Sequence, residues 1–245
     1  KQENGCMVWG GSVSLSPADD IIISVEKALD IDSVGQMIAS VLSKKVAAGS
    51  THVIIDIPVG KTAKVRTEKD ALKLKSQFEK VADAIGIKVK CIITDGSQPI
   101  GKGIGPSLEA MDVLSVLRNE SNAPEDLKQR AFLLAGELLE LSGKVKKGEG
   151  ENEAERILKS GDAYKKFESI CRAQGRFSKP SYAEYKHDVR AEENGVVKEI
   201  DCRRLAKIAK LAGAPKSPMA GIVFNAPLEK QIKIGDLLFS IYAES

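Results

Sequence analysis

Four side chains near the start of the chain could act together. Gln36, Ser40 and Lys44 follow one another at i, i+4 spacing. They lie in a segment, Ser33 to Ala48, whose apolar residues Met37, Ile38, Val41 and Leu42 recur at helical spacing. That spacing sets an amide, a hydroxyl and an ammonium in one row on a helix. Asp32 stands just ahead of the row, near the helix N-terminus. The hydroxyl can donate or accept, and the ammonium can offset negative charge. A carboxyl beside them can deliver a proton once burial raises its pKa. On spacing alone the simpler reading is a solvated helix face with Asp32 as an N-terminal cap.

A second candidate is the loop Gly101-Lys102-Gly103-Ile104-Gly105, which follows a strand pattern and opens a helix. Backbone amides at such a place can bind phosphate. The spacing is neither GxGxxG nor a GK[ST] phosphate loop, so a tight strand-to-helix connection is the better reading. The tail around Ile234-Gly235-Asp236-Leu237-Leu238 resembles small β modules that carry biotin or lipoyl groups. Met219 is followed by Ala220 and not by the lysine such a carrier needs, which leaves a structural β module.

The elements that must position these groups are legible in outline. Ser33 to Ala48 reads as a helix stopped by Gly49. His52 to Val59 reads as a buried-type strand ending at Gly60. Thr67 to Ile85 reads as a helix, with Thr67 and Asp70 spaced like a capping box and Gly86 behind. Val89 to Thr94 reads as a second strand, and Ser107 to Leu117 as the helix after the glycine loop. Strand, helix, strand, helix implies a largely parallel sheet with flanking helices. Helices follow over Pro124–Leu141, Glu153–Lys159 and Ala163–Gln174, with 144–151 expected as an exposed loop. Past Pro180 come strands around Asn194-Gly195, a short helix capped by Asp201, and a strand-rich tail. Ile21 to Val25 is open between strand and helix. The expected class is α/β: a strand (Met7–Gly11) and helices over 1–50 that contribute to a helical domain and the substrate wall, an α/β domain over 51–180 and a small, truncated C-terminal α+β module over 181–245.

Composition narrows the classes. The chain has 245 residues, and its 37 basic and 34 acidic residues nearly balance at +3. That balance gives no case for a nucleic-acid or membrane partner. No apolar run approaches the ~18 residues of a membrane helix. The polar start, Lys1-Gln2-Glu3-Asn4-Gly5, is not a signal peptide, and without an initiator Met it reads as cut or processed upstream. Cys6, Cys91, Cys171 and Cys202 form no CxxC pair, so neither a disulfide framework nor a zinc site is expected, and a cytoplasmic home fits. Two histidines, His52 and His187, are too few for a His-rich metal centre.

Three longer blocks carry a resemblance. The first is Val8-Trp9-Gly10-Gly11-Ser12 with Ser16-Pro17-Ala18-Asp19-Asp20-Ile21-Ile22-Ile23. The second is Gly35-Gln36, Ala39-Ser40-Val41 and Lys44-Lys45, running on through Thr51 to Gly60 and Ala63-Lys64-Val65. The third is Thr94-Asp95, Gln98-Pro99-Ile100-Gly101, Gly105 and Leu108-Glu109-Ala110. Together with the tail from Gly195 to Ile241, these resemble the C-terminal portion of the thymidine phosphorylase family. They look closest to its AMP phosphorylase-like branch, which includes proteins named as thymidine phosphorylases.

The resemblance implies a glycosyltransferase that splits an N-glycosidic bond with phosphate. Its substrate would be a nucleoside or nucleoside 5′-monophosphate. It makes Asp32 the catalytic proton donor and Ser40, Lys44 and Lys64 substrate-binding residues. It implies no metal and no cofactor, inorganic phosphate being the co-substrate. Where the pyrimidine-specific branch has an arginine, this chain has Val25, beside Ser24 and Glu26. The family's main phosphate-binding elements lie upstream of this region, so the chain alone is expected to be inactive. The full-length enzyme is expected to form a homodimer or larger homo-oligomer. The alternative is a non-catalytic nucleotide-binding or assembly module with the same fold.

Overall fold

A computed structural model describes residues 2–7, 17, 21, 22, 25, 33–175 and 177–245. Ile21, Ile22 and Val25 are helical, which resolves the open choice over those positions in favour of helix.

Helix α1 (Val34–Ala47) starts where Ser33 accepts from the Gln36 amide and stops before Gly49, whose φ of +73° suits a residue without Cβ. Strand β1 (His52–Val59) follows, then helix α2 (Glu68–Ala84) and strand β2 (Lys88–Asp95). The Thr67 hydroxyl accepts from the Asp70 amide at 3.1 Å and donates to the Asp70 carboxylate at 2.7 Å, closing the expected cap. β1 and β2 pair in parallel from His52 opposite Lys88 to Val59 opposite Asp95.

The two faces of this pair differ chemically. Odd-numbered positions, Ile57 and Cys91 among them, join Ile38, Leu42, Ala71, Leu74, Phe78 and Ala82 in one core under α1 and α2. Burying each large side chain there contributes roughly 1.5–3 kcal/mol. Even-numbered positions meet helix α4 (Glu125–Leu141) through polar groups. Arg130 donates to Asp56 Oδ2 at 2.9 Å and to Thr94 Oγ1 at 2.8 Å, and Lys90 pairs with Glu137.

Between β2 and α4 come a short strand β3 (Gly103–Ile104) and helix α3 (Pro106–Leu117). Helices α5 (Gly150–Lys159) and α6 (Asp162–Gln174) complete the helical layer. The 144–151 tract is not wholly a loop, since α5 starts inside it at a buried Gly150. A Cβ on Gly150 would lie 2.2 Å from the Gly136 carbonyl, so only paired glycines let α4 and α5 approach this closely.

The remaining elements are β4 (Tyr185–Arg190), β5 (Gly195–Val196), α7 (Cys202–Leu211), β6 (Gly221–Phe224), β7 (Gln231–Ile232) and β8 (Leu237–Ala243). β4 and β5 do not pair with each other. β4 lies against β8 and β5 against β7, both antiparallel. The four-stranded sheet runs β3-β6-β8-β4, so the glycine loop contributes an edge strand to the C-terminal sheet. The architecture is therefore mixed α/β as expected, with β1 and β2 as its parallel pair. Among the described residues no helix is long and apolar enough to cross a membrane.

Candidate functional site

Three of the four expected site residues fall on described elements. Ser40 and Lys44 are half-buried neighbours on α1, where Lys44 Nζ donates to Ser40 Oγ at 3.4 Å. The i, i+4 row thus forms as its spacing requires. Asp32 lies outside the described residues, as does most of the first block from Val8 to Ile23.

Lys64 sits on the loop that follows β1. This loop is held from both ends. The Gly60 amide donates to the Val65 carbonyl at 3.1 Å, and a Cβ on Gly60 would lie 2.4 Å from the Gly96 carbonyl. At the loop's tip, the Cys202 amide donates to the Thr62 hydroxyl at 3.3 Å. Arg203 Nε donates to the Thr62 carbonyl at 3.0 Å. Cys202 is the first residue of α7, so Thr62 takes up one of the amides that a helix N-terminus leaves without a partner.

Lys64 lines a groove of about 400 Å³ with Val34 and Met37 of α1, Val65 and Arg66 of its own loop, and Asp70, Lys73, Leu74 and Gln77 of α2. The spacing of Asp70, Lys73, Leu74 and Gln77 is that of one helix face. Ser40 and Lys44 are not among the lining residues. They continue α1 one and two turns beyond Met37. The structure therefore joins Ser40 to Lys44 and seats Lys64 against the first turns of the same helix.

Sequence reasoning passed over Arg66, Lys73 and Gln77. The available signal was the 70, 73, 74, 77 periodicity beside Lys64.

The glycine loop is occupied by the chain's own carboxylates. Asp112 Oδ2 accepts from the Lys102 and Gly103 amides at 2.6 and 2.7 Å. The Gly101 amide donates to Asp126 and the Gly105 amide to Glu109. Four amides that could have cradled a phosphate are thus neutralised from within, which agrees with a structural connection. Residues of the third block also have structural work. Thr94 donates to Asp56 Oδ1 at 2.5 Å, and Gln98 Oε1 accepts from the Leu228 amide at 2.8 Å.

No family model matches the chain. Its whole length is 56% identical to a protein of Legionella pneumophila (strain Corby) named "Putative thymidine phosphorylase", covering 47% of that protein. A Hahella chejuensis protein of the same name is 53% identical over 245 residues, 48% of its length. One from Maricaulis maris is 54% identical over 241 residues, 98% of this chain and 46% of that protein. The chain is a homologue of these proteins along 98–100% of its length. It spans about half the length of each. These relatives support the family-level resemblance that the sequence blocks carry.

Proposed function

We propose that the chain is part of a phosphorylase of the thymidine phosphorylase type. The enzyme would split the N-glycosidic bond of a nucleoside or nucleoside 5′-monophosphate with inorganic phosphate. The observation that carries this reading is identity above 50% across 98–100% of the chain to relatives bearing that name. The seating of Lys64 in a groove against α1 supports it.

In the proposed reaction, the bond from C1′ to the base nitrogen breaks and a phosphate oxygen bonds to C1′. The base leaves with the electron pair and takes up a proton, giving free base and (deoxy)ribose 1-phosphate. Positive charge grows on the ribosyl carbon and negative charge on the base, so catalysis requires placement of phosphate and stabilisation of the leaving group. Asp32 would supply the proton. Ser40, ordered by Lys44, would hydrogen-bond base or sugar, and Lys44 would offset charge on the base. Lys64 would hold an anionic part of the substrate. No step needs a metal. The region 51–180 would form the α/β domain and 181–245 a C-terminal module, within a cytoplasmic homo-oligomer. The AMP phosphorylase-like placement rests on Asp32, Ser40 and Lys64 occurring together, with Val25 in place of arginine.

The test is phosphate-dependent base release by the full-length protein from AMP, CMP, UMP and thymidine. Turnover with at least one substrate, and its loss in Asp32→Asn, is expected. Full turnover in Asp32→Asn would remove the acid role. Absence of release from all four would sink the phosphorylase reading.

A further inference from the structure

The polar row on α1 has a member that the proposed reaction leaves unused. Gln36 stands one turn before Ser40, as Lys44 stands one turn after it. A solvated polar face is exposed along its length. Gly35, Ala39 and Ser43 are exposed in that way, but Gln36, Ser40 and Lys44 are all half-buried. The row therefore runs along the flank of α1, between that open face and Met37 and Val41, which pack against the core. A hydrogen bond made at such a sheltered border is stronger than one made in open water.

The backbone that presents Gln36 is fixed. Its amide donates to the Ser33 hydroxyl at 3.3 Å, and the Met37 amide donates to the Ser33 carbonyl at 3.0 Å. This first turn also gives Val34 and Met37 to the groove that Lys64 lines. One turn of helix thus touches that groove and leads directly to Ser40.

The three side chains of the row differ in what they can recognise. A hydroxyl has a single proton to donate, and an ammonium only donates. The carboxamide of Gln36 sets a donor and an acceptor side by side in one plane. Nucleobase edges present the same pattern, an N–H beside a carbonyl oxygen or a ring nitrogen, and an amide that bonds to both discriminates among bases.

We infer that Gln36 is the specificity-determining residue of this row, its carboxamide paired with one donor and one acceptor on the edge of the base. The inference rests on the phosphorylase reading for the presence of a base at α1. Within that reading, Ser40 and Lys44 meet base or sugar, and Gln36 decides which bases are accepted.

The test is a titration of the full-length protein, Gln36→Leu and Gln36→Glu with AMP, CMP and UMP, without inorganic phosphate so that nothing turns over. Gln36→Leu removes both arms and should weaken the tightest-binding nucleotide by about tenfold or more. Gln36→Glu keeps a side chain that suits the third position of a capped helix, but one that only accepts. The amino groups of adenine and cytosine stand at a corner of the base and can donate to a carboxylate. The N–H of uracil on that edge lies between two carbonyl oxygens, which a carboxylate repels. Gln36→Glu should therefore raise the preference for AMP and CMP over UMP by about tenfold. Wild-type affinities in Gln36→Leu would overturn the inference, as would failure of all three nucleotides to bind the wild-type protein. An equal change for all three in Gln36→Glu would overturn it too, because a charge near the phosphate or a disturbed helix acts on every nucleotide alike. The phosphorylase reading fails separately. Altered preferences without any base release keep the role of Gln36 and sink that reading, and base release with unaltered preferences does the reverse.

Discussion

Arg203 reaches from the start of α7 to the Thr62 carbonyl at 3.0 Å, which ties the C-terminal module to the loop that carries Lys64. The neighbouring Cys202 amide adds a bond to the Thr62 hydroxyl. Lys61 and Glu199 also pair at 3.0 Å, but both are exposed, and a pair of that kind contributes little. Thr62 is therefore the anchor. Thr62→Val keeps the side-chain shape and removes the acceptor. It should cost about 1 kcal/mol of stability, the worth of one ordinary hydrogen bond. In the full-length protein it should raise KM several-fold with kcat largely kept, because Lys64 loses its fixed position. Thr62→Ser should restore both. Unchanged KM in Thr62→Val would show that Lys64 needs no such anchor.

The polar face of the parallel pair makes a larger prediction. Arg130 is mostly buried and contacts Asp56, Thr94 and the Asp95 carbonyl. Removing Asp56 leaves the guanidinium and the Thr94 hydroxyl without their shared acceptor. Asp56→Ala should destabilise the protein by about 2–4 kcal/mol, read from urea unfolding, since breaking a desolvated pair strands its other half. Asp56→Asn should cost less, because an amide oxygen still accepts from Arg130. A loss below about 0.5 kcal/mol in Asp56→Ala would mean that solvent replaces the carboxylate freely.

The contrast between these two sites shows what the sequence discloses. The caps at Thr67 and Asp201 were legible because each is a local contact three residues long. At the first helix the cap expected at Asp32 is made by Ser33 instead. His52–Val59 was legible because a β-branched run bounded by Gly60 has few alternatives. The partners of β4 were not. Asn194-Gly195 reads as a local turn, but Tyr185–Arg190 finds a six-residue partner only at β8, far along the chain. Arg66 and Lys73 were hidden for a different reason. Exposed cations beside a helix read as solvated, and only the fold of the 60–66 loop against α2 turns them toward one groove. Lys64 itself entered through family resemblance and not through spacing.

Asp188 gives a pH-dependent prediction. Its carboxylate accepts from the Ser240 hydroxyl at 2.6 Å and pairs with Lys186 at 2.9 Å and Arg190 at 3.1 Å. The Ser240 bond first, then Lys186, hold its pKa down from 3.8 to about 2. A depressed carboxyl pKa stabilises the fold above the unfolded-state value and ceases to do so as pH falls through the folded one. The stability gap between wild type and Asp188→Asn should be flat above about pH 5 and close as pH falls towards about 2. Denaturant midpoints across that range check it. A gap that stays constant down to pH 2 would show that the carboxylate's charge has no part in joining β4 to β8.

The glycine loop supplies the last test, because its amides have a choice of anion. Asp112 Oδ2 sits where a bound phosphate oxygen would sit, accepting from two consecutive amides. Gly103 must be glycine there, since a Cβ would lie 2.3 Å from the Leu108 carbonyl carbon. The loop is thus built tightly around an internal carboxylate, and its β3 residues continue into the C-terminal sheet. Asp112→Ala should cost about 2–4 kcal/mol, from two amides left without an acceptor. Asp112→Asn should cost about 1 kcal/mol or less, because one amide oxygen can accept from both. Neither variant should alter the KM for phosphate in the full-length protein beyond what lost stability explains. A large rise in that KM in Asp112→Asn, with stability kept, would mean that this loop takes part in phosphate binding after all. The internal carboxylates would then be orienting the loop for a ligand and not replacing one.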